Sequence, residues 1–70
     1  MLTTYGKIIH TDIIERFNAA VIDPENIHEG GGINWDYVEA DVHIAMGVVY
    51  NYDYLNDCLG VLVDDYFSKV

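Results

Sequence analysis

Twelve acidic side chains stand against three Lys or Arg in 70 residues, a formal charge of -9, and this excludes phosphate backbones and anionic lipid surfaces as ligands, because both are held by basic groups. One cysteine, Cys58, rules out an internal disulfide, and no Cys/His spacing marks a structural zinc, so a single domain over residues 1–70 depends on its packed core or on self-association as a homodimer. With 51% of residues apolar and one Pro, the composition is that of a folded chain.

Alternating and β-branched residues open the chain in "TTYGKIIH". Thr11 is then placed to cap a first helix from about Asp12 to Ile22, in which Ile13, Ile14, Phe17, Ala20 and Val21 recur at helical spacing. Asp12 suits the first turn and has Arg16 four residues on, the one favourable pair of this spacing in the segment. Asp23-Pro24 ends the helix, and "DPENIHEGGG" reads as a flexible connection.

Asn34 caps a second helix whose stripe is Trp35, Val38, Val42, Ala45, Met46 and Val49, with Gly47 weakening its last turn. A strand here would put Trp35 and Tyr37 on the same face as Glu39 and Asp41, so a helix is expected. The period breaks at "VVYNYDY", where Tyr50, Tyr52 and Tyr54 alternate with polar residues and a bend or short extended piece is predicted. Asp53 then caps a third helix with Leu55, Cys58, Leu59, Leu62, Val63 and Tyr66 as its stripe and Lys69 at the negative end of its dipole. The expected fold is all-α, a compact three-helix domain with a short N-terminal strand at most. The alternative is a small α+β fold that pairs "TTYGKII" with "GVVYNY" as strands.

No catalytic signature is present, and the sequence predicts neither enzyme nor cofactor. His10-x-Asp12 and Asp41-x-His43 mix imidazole with carboxylate, but no His-Glu-x-x-His or calcium-loop pattern appears, so no metal site is assigned. Gly30 to Gly32 lack the Gly-Lys-Ser/Thr of a phosphate loop. Cys58 lies on an apolar stripe with no base nearby to lower its pKa, which makes it a small core residue. Its lone thiol, and an N-terminus without the basic, apolar, small-residue order of a signal peptide, predict a cytoplasmic protein. No apolar run reaches the ~20 residues of a membrane span.

The informative feature is where the acids lie. Ten of the twelve, all but Asp12 and Glu15, fall between Arg16 and Lys69, a stretch without Lys or Arg. Asp53 and Asp57 form a like-charge pair one turn apart, Asp36 and Glu39 nearly repeat it, and Asp64 and Asp65 stand where a helix dipole disfavours anions by ~0.3 to 1 kcal/mol each. Carboxylates about 6 Å apart approach the spacing of phosphates along a nucleic-acid strand. In size and composition the chain resembles the small acidic inhibitors that phages and mobile elements aim at restriction, CRISPR or repair enzymes.

That resemblance implies nucleic-acid mimicry, with a partner that is the basic surface of a nucleic-acid-binding protein in the cytoplasm, the host's if the chain is phage-encoded. The expected partner-binding residues are Asp36, Glu39, Asp53, Asp57, Asp64 and Asp65, with Tyr37, Tyr52 and Tyr54 as aromatic contacts. The competing expectation is a non-enzymatic helical interaction or dimerisation module whose charge serves solubility.

Overall fold

The computed structural model describes residues 9–68, which form three α-helices and one short 3-10 turn: α1 (Thr11–Ile22), the 3-10 turn Pro24–Asn26, α2 (Trp35–Met46) and α3 (Tyr52–Ser68). The all-α, three-helix reading is correct. The strand proposed for "TTYGKII" falls, except for Ile9, outside the described residues, as does Lys69; "GVVYNY" is not a strand but the turn that follows α2 and the first residue of α3.

The core is the meeting of three stripes. Ile9, Ile13, Phe17 and Ala20 come from α1 and the residue before it, Val38 and Val42 from α2, and Leu55, Cys58, Leu59 and Leu62 from α3. Burying an aliphatic or aromatic side chain of this size contributes roughly 1.5–3 kcal/mol. Among the described residues ten apolar side chains are buried, and partly buried ones such as Trp35, Tyr50 and Tyr54 pack against them at the rim. Trp35, expected in the core, lies half-buried at its edge, with ring centroids 6.4 Å from Phe17, 5.1 Å from Tyr66 and 5.2 Å from Phe67.

These contacts also orient the helices. The start of α2 meets the end of α3 through Trp35, while the end of α2 meets the start of α3 where His43 stacks on Tyr52 at 4.5 Å. The two helices are therefore antiparallel. A bend between them does occur at residues 47–51, but α3 begins at Tyr52, earlier than Asp53 would allow as its cap. Asn51 is the capping residue: its Oδ1 accepts the Tyr54 backbone N–H at 2.8 Å, leaving Asp53 in the first turn.

Two other caps separate expectation from structure. Asn34 caps α2 as predicted, its Oδ1 accepting from the Tyr37 N–H at 3.4 Å. Thr11 does not cap α1. The residue in that position is His10, extended at φ -61° and ψ 140°, whose carbonyl accepts the N–H groups of Ile13 and Ile14. Its ring packs on Tyr50 and Tyr54 at 5.2 and 6.1 Å, which fixes where the chain enters the helix.

The glycine-rich segment is a pinned loop and not a slack connection. Ile27 and Ile33 form an antiparallel bridge, the His28 N–H donates to Gly32 O at 2.7 Å, and the Asn34 N–H donates to Asn26 O at 2.8 Å. Gly31, at φ +94°, occupies a conformation that side-chain-bearing residues rarely adopt. At the end of α2, a Cβ on Gly47 would lie 2.5 Å from His43 O, so glycine is needed where the helix stops. Stopping there leaves Val49, counted in the buried stripe from sequence, exposed on the turn.

Candidate anionic ridge and the residues around it

At about 100° of rotation per residue, Asp53, Asp57, Gly60 and Asp64 fall within about 60° of one another on α3. All four are exposed. They lie opposite Leu55, Cys58, Leu59 and Leu62, whose burial fixes which way the helix faces. The first interval along the axis is about 6 Å, and Asp57 to Asp64 spans about 10.5 Å.

Asp65 is about 100° round the helix from Asp64, and it is half-buried. It belongs to the flank of the ridge. Asp36 and Glu39 lie on the edge of α2 that also carries His43, the edge turned toward α3; Asp36 is exposed and Glu39 half-buried. Because the helices are antiparallel, these two acids sit level with the Asp64 end of α3. Exposed Phe67, which touches Trp35, stands at the same end and was not singled out from sequence.

The three candidate tyrosines do not gather on one face. Tyr52 is exposed and stacks on His43, beside the N-terminal end of the ridge. Tyr54 is half-buried against His10 and Tyr50. Partial burial, with Cys58 beside it, raises its pKa above the usual tyrosine value. Tyr37 is exposed on α2 and lines an open groove of about 340 Å³ with Arg16, Glu25, Asn26, Asp41 and Ile44. None of the six candidate acids lines that groove.

Charge is handled differently inside the molecule. Arg16, the only Lys or Arg among the described residues, pairs with Asp41 on α2 at 3.1 Å and not with Asp12, its expected partner one turn away. Asp41 also accepts from Asn26 Nδ2 at 3.2 Å, and Asn26 in turn donates to Ala20 O at 2.9 Å. Asp12 is occupied by the Tyr50 hydroxyl at 3.0 Å and by the Ile13 N–H at 2.9 Å. Asp23 caps the 3-10 turn through the Glu25 N–H. Acids at helix junctions thus have internal donors, whereas Asp36, Glu39, Asp53 and Asp64 meet none among the described residues.

Among the described residues no group of three or more His, Cys, Asp or Glu side chains is placed to hold a metal ion, and no helix is long and apolar enough to cross a membrane. The chain matches no family model, no curated protein sequence and no solved structure.

Proposed function

We propose that this chain is a small acidic inhibitor that mimics nucleic acid and blocks the basic groove of a DNA- or RNA-handling enzyme of the restriction, CRISPR or repair kind. The observation that carries the reading is the alignment of Asp53, Asp57 and Asp64 along the solvent face of α3, with Asp36 and Glu39 level with its far end. Like charges one turn apart on α3, Asp53 and Asp57, repel each other by a few tenths of a kcal/mol.

The likeness is one of line charge and not of register. The Asp53–Asp57 step, about 6 Å, is close to one phosphate spacing, while the step to Asp64, about 10.5 Å, is nearer one and a half. A uniformly negative edge on a narrow body suits a groove lined with Lys and Arg, where attraction speeds encounter and Tyr52 and Phe67, at the two ends of the ridge, add apolar contact.

The test is capture of binding proteins from the natural host in low and in high salt, with duplex DNA as competitor. Mimicry predicts that a basic nucleic-acid enzyme is captured, is released by salt, is displaced by DNA, and loses activity in the complex. Binding to a neutral protein, indifferent to salt and DNA, would overturn it.

A further inference from the structure

We propose that the outward face of α2 is a contact surface between two copies of this chain, paired antiparallel about a two-fold axis. Tyr37, Ala40 and Ile44 fall within about 60° of one another on the helix, and all are exposed, Ile44 by 80%. Val48, 88% exposed, and Val49 continue the apolar line onto the turn after Met46. Tyr37, Ile44 and Val48 thus put aliphatic and aromatic surface into solvent along one side of α2 in a chain of net charge -9. Soluble monomers seldom leave such a continuous strip uncovered.

Two features favour a second copy as the occupant. The order along α2 is self-complementary, because reversing the helix about its midpoint, between Ala40 and Asp41, sets Tyr37 of each copy opposite Ile44 of the other with the small Ala40 beside the axis, as an isologous contact requires. The strip runs between two acids, Asp41, held by Arg16 and Asn26, and exposed Asp36. Finally, full cover of these side chains on both copies would bury on the order of 1,000 Å², the lower end of a specific interface. The pairing is therefore weak, and it strengthens with salt, which screens the repulsion between two acidic chains.

The experiment is sedimentation equilibrium of the full chain over a wide concentration range, in low and high salt. The natural sequence should pass from monomer to dimer mass, at lower concentration when salt is high. Ile44→Glu and, as a second exposed position, Val48→Glu should each weaken the dimer by on the order of tenfold or more while keeping the helical circular dichroism; Asn18→Glu, the same charge change on the exposed side of α1, should leave it intact. A monomer throughout, a higher oligomer, a dimer indifferent to both α2 variants, or one lost equally with Asn18→Glu would each overturn the proposal. Because the strip excludes the α3 ridge, Ile44→Glu should still bind the basic target, which separates failure here from failure of the inhibitor reading.

Discussion

Arg16 and Asp41 are 25 residues apart in sequence and 3.1 Å apart in the fold, and Asn26 bonds to the same carboxylate oxygen at 3.2 Å. One acid thus ties α1, the 3-10 turn and α2 together. The partners differ in burial. Arg16 is 32% exposed, so its pair with Asp41 belongs nearer the surface class, and Arg16→Met should cost about 1 kcal/mol or less. Asn26 is buried and also serves Ala20 O. Asn26→Ala removes one of two donors to that carbonyl, which keeps the Asp23 N–H at 3.3 Å, and one of the two to Asp41, and should cost about 1–3 kcal/mol. Urea titration of both variants checks the order; a larger loss for Arg16→Met would show that the ion pair, not the amide, holds the junction.

Cys58 is fully buried between Leu55, Leu59 and Leu62 on the inner face of α3. Its thiol should therefore react with an aromatic disulfide reagent only through opening of the domain. The labelling rate should rise with urea in step with loss of helical signal, and Leu59→Ala, expected to cost about 2–5 kcal/mol, should accelerate labelling sharply. Fast labelling of the natural protein in water would contradict the burial.

Tyr50 and Tyr54 should make the fold sensitive to alkali. Partial burial comes first for both, with the Asp12 hydrogen bond adding to it at Tyr50 and Cys58 adding to it at Tyr54, and each holds its phenol above the ordinary value. A folded pKa raised above the unfolded one means that the unfolded chain loses its proton first. Stability is then fully present below about pH 10 and falls as pH rises past it. Thermal midpoints measured from about pH 8 to pH 11 should drop in the upper part of that range, and Tyr50→Phe should flatten the drop.

What could be read from sequence was what repeats. Ile13, Phe17 and Ala20, or Leu55, Cys58, Leu59 and Leu62, announce a buried stripe because several apolar residues agree on one face. Single decisions between neighbours were not legible. Asn51 and Asp53, two positions apart, are both of residue types that cap helices, and the seating of Tyr50 and Tyr54 against His10, visible only in three dimensions, accompanies the choice of the first. Thr11 lost the capping place for a similar reason. Arg16 had Asp12 one turn away, but the packing of α1 on α2 brings Asp41 to it and gives Asp12 to Tyr50. Of the candidate site, the exposure of Asp53, Asp57 and Asp64 followed from the stripe opposite them; the dispersal of Tyr37, Tyr52 and Tyr54 did not, since it depends on how helices are placed. Ile44 was hidden for another reason: an isoleucine in a helix signals burial, and here it faces water.

Neutralising the ridge should separate binding from stability. Asp53→Asn gives up a favourable charge in the first turn of α3, while Asp64→Asn removes an unfavourable one near its end, and the Asp57 change relieves the repulsion between Asp53 and Asp57. The opposing effects should leave the triple variant within about 1 kcal/mol of the natural protein. Its affinity for a basic target should fall by a factor on the order of 100 or more at low salt, with a shallower salt dependence. Loss of stability without loss of affinity would assign these acids to the fold.

Gly60 is the sharper probe, because it lies in the middle of the ridge and of α3, where glycine is the wrong residue for a helix. A Cβ there would meet nothing within 4 Å, so no internal contact demands its absence. Gly60→Ala should therefore stabilise the domain by about 0.5–1 kcal/mol, chiefly by narrowing the unfolded ensemble. If the ridge is pressed against a target, the missing side chain is where that surface comes closest to the helix backbone, and the added methyl should weaken binding while thermal stability rises. The two readings move in opposite directions, which a single variant rarely offers. A Gly60→Ala protein that melts higher and binds unchanged would mean that the target does not sit over this turn of α3.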